Sequence, residues 1–205
     1  MCYRTKLNSR IEDIEKTFEA SFTEPELYVP QEEINGFDFS GTPVIADHSP
    51  GEILFLHWGL IPFWAKNDHI KKSTLNAKIE TLTEKPAFRD AVNNRCLVIA
   101  DGYYEWQWLD EKGKRKQKFL ITSAESDIFA FAGIYSTWKD PQSGEPLTSY
   151  SILTTEANEL MSRIHNNKKR MPVMLKSSDH RGWLEGRSIE DFAFPYEAKL
   201  KAIEI

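Results

Sequence analysis

Between residues 95 and 154, five apolar β-type segments follow one another with only turns between them. They cover 95–100, 103–109, 117–122, 128–137 and 148–154, and turns such as DEKGK and DPQSG punctuate them. A parallel pair needs a crossover of a dozen or more residues, usually a helix, and these connections supply none. The expected class is therefore α+β, with a mixed or antiparallel sheet curled into a barrel-like core and flanking helices. Around this block, Ser9 reads as the N-cap of a helix carrying Ile11, Ile14, Phe18 and Phe22 at helical spacing. Residues 23–42 read as an irregular connection, 43–46 and 52–58 as strands, and 62–78 as loop. Thr83 and Pro86 predict a helix over 83–93. Further helices are expected at 155–164 and 177–185, with strands at 172–175 and 200–205. No repeat, low-complexity stretch or flexible linker interrupts the chain, so 1–205 is expected to be a single domain.

Composition removes several classes of function. No stretch approaches the ~20 apolar residues needed to span a bilayer, and the first fifteen residues lack the apolar run of a secretory signal. A cytoplasmic protein without membrane contact is expected. The two cysteines, Cys2 and Cys96, have no metal-ligand spacing, and a reducing compartment disfavours a disulfide between them. Cys96, inside RCLVIA, reads as a small buried hydrophobe. Neither a Walker loop nor a Rossmann glycine pattern is present, so no metal and no cofactor are expected. The net charge of −5 opposes nucleic-acid binding in bulk, yet the cations are grouped. Lys66, Lys71, Lys72 and Lys78 form one group, Lys112–Lys118 a second, and Lys168, Lys169 and Arg170 a third. Each is either a solvated loop or part of a basic face.

Four polar residues can carry chemistry, and each also has a plainer reading. Removing Met1 would give Cys2 a free α-amine beside its thiol. The amine can condense with an aldehyde, and the thiol can then close a thiazolidine; an incidental cysteine is the alternative. Glu105, in the strand ADGYYEW, shares a face with Asp101, Tyr103 and Gln107. It is either a general acid–base or the partner of a lysine among 114–118 across the turn. His165 either complements the end of its helix or shuttles protons. Asn76 either orients an amine or a sugar, or serves a turn. In HWGLIPFW, aromatics beside Lys66 and Lys71 can stack bases, whereas Trp58 and Phe63 can equally be core.

Taken in order, MCxR, WGLIPFW, NAKIET, ADGYYEW, FAGIY, TTEAN and IHNNKKRMPV resemble the SRAP family, the SOS-response-associated peptidases or abasic-site processing proteins. The resemblance implies a DNA-damage protein that captures abasic sites in single-stranded DNA as a covalent adduct. Cys2 would be the nucleophile, Asn76 would hold the substrate or amine, Glu105 would assist sugar ring opening and proton transfer, and His165 would give or take a proton. Arg4, Lys78 and Arg170 would grip phosphates, and Trp64 would contact the DNA. The peptidase label would reflect removal of the residue before Cys2. The implied molecule is a monomer associated with the nucleoid. In three places the chain departs from the family pattern: Lys78 stands where arginine is frequent, NGFDFSGTPVI replaces a proline-bearing N-x-A-P segment, and NNKK lengthens the span from His165 to Arg170. Two other readings stay open: a thiol peptidase using Cys2, His165 and Glu105, and a non-covalent single-strand-binding module.

Overall fold

The computed structural model describes residues 2–205. The chain opens with β1 (Arg4–Leu7), α1 (Ile11–Phe18), β2 (Ser21–Phe22) and β3 (Gln31–Asn35). Next come β4 (Gly41–Ala46), β5 (Glu52–Trp58) and β6 (Asn76–Lys78). The central block is β7 (Arg95–Ala100), β8 (Gly102–Trp108), β9 (Lys116–Ser123), β10 (Phe129–Lys139) and β11 (Pro146–Glu156). The chain finishes with α2 (Glu159–Ile164), β12 (Arg170–Pro172), β13 (Met174–Leu175), α3 (His180–Leu184) and β14 (Leu200–Glu204).

The five apolar segments of the central block all form strands. β10 pairs antiparallel with β7 and β11, β7 with β4, and β4 with β5. A parallel contact of Ser149 and Tyr150 on β11 with His57 and Trp58 on β5 closes these five strands into a ring. The fold is thus α+β, a barrel-like sheet with few helices. A second, five-stranded sheet runs in the order β14, β9, β8, β1, β3. Core side chains fall into two main clusters. One, around Ile45, Leu97, Leu153 and Trp183, lies against the helices; the other, around Cys2, Trp58, Tyr103, Phe131 and Tyr150, joins the barrel to the second sheet. Cys96 is buried, as its apolar run implied.

Several expectations are corrected. No α-helix forms over 83–93; turns and a single 3-10 turn at Arg89–Ala91 occupy it. Pro86 disfavours helical backbone at Lys85, which shortens the run to the seven residues 86–92 ahead of Asn93–Asn94. Ser9 does not cap α1: Arg10 holds the N-cap position, and Ser9 Oγ bonds Asp101 Oδ2 at 2.8 Å instead. Phe22 lies in β2, not in the helix. Residues 23–42 contain β3, an edge strand in which Ile34 is the one buried apolar residue, so it has no apolar alternation to read. The 62–78 segment holds a 3-10 stretch, Asp68–Ser73, and β6. β11 runs on to Glu156 because β12 pairs with its end, and the following helix starts only at Glu159, capped by Asn158. The helix expected at 177–185 is a 3-10 turn followed by α3. Trp58 is core, but Phe63 is 63% exposed, because the Pro62 turn points it outward from a loop tied down by Trp138 Nε1 bonding the Ala65 carbonyl.

β1 is held at its far end by Asp101, which accepts from Asn8 N at 2.6 Å, Ser9 N at 2.9 Å, Ser9 Oγ at 2.8 Å and Lys6 Nζ at 3.2 Å. A buried carboxylate with four donors leaves several of them unpartnered when it is deleted. Asp101→Ala is expected to lose about 3 kcal/mol of stability, since removing one member of a buried charged pair strands the other. Urea denaturation measures this, and a loss below about 1 kcal/mol would show that β1 is seated by other contacts.

Candidate active site at the N-terminal cysteine

β1 carries the start of the chain into the interior. Cys2 is fully buried in the cluster shared with Trp58, Leu75 and Tyr103. Its carbonyl accepts a hydrogen bond from Asn76 Nδ2 at 2.7 Å, and its Sγ lies 3.7 Å from the Arg4 carbonyl. Asn76 is set by β6, which pairs parallel to β11 with Asn76 level with Ile152. With Nδ2 used, the buried Asn76 Oδ1 has no hydrogen-bond partner among the described residues.

Glu105 comes from β8, the antiparallel neighbour of β1. The register Thr5↔Tyr103, carried two residues further, brings Tyr3 level with Glu105. On the other side Glu105 faces Phe119, and Lys118 bonds Glu33 at 2.6 Å, so the cross-strand lysine pairing of the plainer reading does not form. Burial raises the Glu105 carboxyl to about 7. His165 is the C-cap of α2, and its Nε2 lies 4.0 Å from Glu105 Oε2. Its Nδ1 is 2.8 Å from the Arg170 carbonyl. The Arg170 N–H also points at Nδ1, at 3.3 Å, but a carbonyl only accepts, so the shorter contact assigns the proton to Nδ1 and leaves the lone pair on Nε2. Burial lowers His165 to about 4, so the ring is neutral at pH 7. His165 thus stands at the end of its helix as a neutral ring, which cannot complement the helix dipole as a cation would. The Cys2 thiol is pushed well up, first by burial and then by the Glu105 charge.

The residues expected at phosphates flank this cluster. Arg4 bonds Glu33 and lies 6.0 Å from the Trp106 ring centre. Lys78 is exposed two residues along β6 from Asn76. Arg170 makes a two-pronged bond to Glu80 at 2.9 and 2.8 Å and donates to the Thr154 carbonyl at 2.6 Å. Its backbone therefore serves His165 while its guanidinium is occupied by a carboxylate. Trp64, 46% exposed, sits on the loop after β5. Sequence reasoning missed Glu80 and Glu33, whose partners lie 90 and 29 positions away, and Tyr103, whose hydroxyl donates to Met161 Sδ at 3.4 Å beneath the site. The acid in NAKIET, two places after Lys78, was the one available hint. Among the described residues no group of three or more His, Cys, Asp or Glu is arranged to hold a metal.

A buried Cys2, an acid poised near neutrality and a neutral imidazole are thus set together on a closed α+β barrel. The chain matches the SOS response associated peptidase (SRAP) family over residues 1–205 and belongs to that family. Abasic site processing protein YoqW of Bacillus subtilis is 39% identical over 205 residues, covering 97% of this chain and 88% of that one. Abasic site processing protein HMCES of Gallus gallus is 33% identical over 157 residues, 65% of this chain and 45% of its own. A solved structure from Bacteroides thetaiotaomicron superposes with a TM-score of 0.89 at 32% identity, covering 100% of this chain and 92% of that one.

The opposed shifts of Glu105 and His165 have stability consequences of opposite sign. Between 4.5 and about 7 the folded chain keeps a proton on Glu105 that the unfolded chain has released, so this group's contribution falls as pH rises through that window. His165 does the reverse between about 4 and 6.5. Glu105→Gln is therefore expected to gain on the order of 2 kcal/mol at pH 8 and nothing at pH 4. Urea melts at the two pH values check it; equal effects at both would contradict the assignment.

Proposed function

We propose that, once Met1 is removed, this chain captures abasic sites in single-stranded DNA as a thiazolidine on Cys2. The observation that carries this reading is the seating of Cys2 by Asn76 next to an acid raised to about 7. The names of the relatives, abasic site processing proteins, support the substrate. One chain supplies all four polar groups, so the reading needs no second subunit.

The steps follow from the groups present. Glu105, able to hold or release a proton near neutrality, moves the proton that opens the sugar hemiacetal to an aldehyde at C1′. The Cys2 amine, accepted by Asn76 Oδ1, adds to C1′, and loss of water gives the imine. The thiol then forms the S–C1′ bond, and its proton passes through Glu105 to the nitrogen as the C=N bond becomes single. The net change is aldehyde plus aminothiol to thiazolidine plus water. His165, neutral with its Nε2 lone pair facing Glu105, accepts and returns protons in both directions. Cleavage ahead of Cys2, the reaction behind the peptidase label, would expose the amine.

The thiol-peptidase reading fits less well. It needs a thiolate at neutral pH, whereas burial pushes the Cys2 thiol upward. In addition, the near neighbour of His165 Nε2 in the triad it requires is Glu105, and Cys2 Sγ lies against the Arg4 carbonyl.

Cys2→Ala is expected to remove the denaturation-resistant adduct with an abasic oligonucleotide altogether. Cys2→Ser keeps the amine, and should give an adduct only when borohydride traps the imine. Gel analysis of denatured reactions reads both; an undiminished adduct in Cys2→Ala, or in a chain whose amine is blocked, would overturn the chemistry. Glu105→Gln is expected to slow adduct formation at least 10-fold, with the wild-type rate changing around pH 7 and the variant rate flat there.

A further inference from the structure

A row of aromatic rings leads away from Cys2. Tyr3, the next residue, packs on Phe37 with ring centres 5.2 Å apart, and Phe37 meets Phe39 edge-on at 6.4 Å. The backbone fixes this row, because Gly36 N donates to the Tyr3 carbonyl at 2.9 Å. Phe37 is 48% exposed, an unusual position for a phenylalanine that already has two ring partners. Beyond Phe39 the row ends at a cavity of about 320 Å³, bounded by Phe39, His57, Lys66, Lys71, Trp138 and Leu147. Two close approaches shape its mouth. Gly36 lies flat on Trp58, where an added Cβ would come within 3.1 Å of the indole. Gly59, at φ +119°, lets Phe39 and Lys71 pack over it, and a Cβ there would meet them at 3.0 and 3.1 Å.

The cavity has a definite chemistry. Lys71 Nζ sits 4.9 Å from the Phe39 ring centre and bonds Asp68 at 2.5 Å, while Lys66 is exposed at the rim. Asp68 and Asp140 also line it. Two carboxylates inside oppose a phosphate there but accept hydrogen bonds from exocyclic amino groups, as carboxylates do from cytosine. Apolar walls from Leu147 and Trp138 suit a flat ring, and the volume falls in the range of small-ligand sites.

We propose that this cavity holds one unpaired nucleobase of the strand carrying the lesion, with Tyr3 and Phe37 bridging to Cys2 and the attached phosphate against Lys66. The inference rests on the DNA-capture reading and adds to it a subsite for a base near the abasic sugar. Stacking of this kind is worth a factor of ten or more in affinity per base. It also gives the segment NGFDF, where the family's proline is replaced, a role for its two phenylalanines.

The test uses single strands with a central tetrahydrofuran site, which cannot form an adduct, and a second tetrahydrofuran replacing each flanking base in turn. Fluorescence anisotropy should show one flanking position at which loss of the base weakens binding about 10-fold, with small effects elsewhere. Lys71→Glu and Phe39→Ala should each abolish that position's dependence while leaving the melting temperature within a few degrees. A flat scan, or the same sensitive position in both variants, overturns the subsite. If wild-type protein makes no adduct with a true abasic strand but keeps the sensitive position, the cysteine chemistry falls and the subsite stands.

Discussion

The seating of β1 between β8 and β3 governs most of what this molecule can do. Chain termini ordinarily fray, because ordering each residue costs about 1–2 kcal/mol of backbone entropy. Here sheet pairing on both sides, the Asp101 cluster at one end and Asn76 at the other offset that cost. The second residue consequently reaches the core, where Cys2 shares walls with Trp58 and Tyr103. A side chain on a loop would need its own scaffold; Cys2 inherits the rigidity of two sheets. The closing contact of β5 with β11 acts on the same point from the other side, since β6, which carries Asn76, lies along the same β11.

Burial then sets the protonation of the whole site through one cause acting on three groups. It disfavours charge, so it raises the Glu105 carboxyl to about 7, lowers His165 to about 4 and raises the Cys2 thiol. At neutral pH the site therefore holds a neutral thiol, a neutral imidazole with a fixed tautomer, and an acid near its midpoint. That combination suits reversible proton traffic around an imine. It does not suit a standing thiolate, which supports the proposed aminothiol chemistry over that of a thiol peptidase.

How much of this was legible in the sequence depended on the kind of signal. β7 to β11 were readable because each has a strong local pattern bounded by turns, and the closed sheet followed from the lack of crossovers. Glu105 and His165 could be named from a strand and a helix end, but Phe119 opposite Glu105 and the Arg170 carbonyl on His165 are set by register and topology, which local spacing does not carry. β3 was hidden because an edge strand with one buried apolar residue has no period. The helix expected over 83–93 failed: Pro86 disfavours helical backbone at Lys85, and a single 3-10 turn at Arg89–Ala91 forms instead. The Glu33 and Glu80 partners were invisible for a simpler reason: pairing across 29 and 90 positions is decided by topology, not by local spacing.

Those two carboxylates also set the terms on which the arginines of a chain of net charge −5 would meet the phosphate backbone that the proposed function brings. Arg4 and Arg170 are each neutralised in the free protein, by Glu33 and Glu80. A phosphate that engages either one must displace a carboxylate, so its gain is the difference between two ion pairs, not the whole of one. For Arg170 the exchange has a second consequence, because the same residue's carbonyl holds His165 Nδ1. Glu80 is tied in turn to Thr155 on β11, so in the free protein the histidine's orientation is anchored to the barrel. Under the proposed DNA-capture reading, strong binding by these two arginines is exchanged for a site already in order when the substrate arrives, which leaves affinity to exposed cations such as Lys78 and to aromatic contacts.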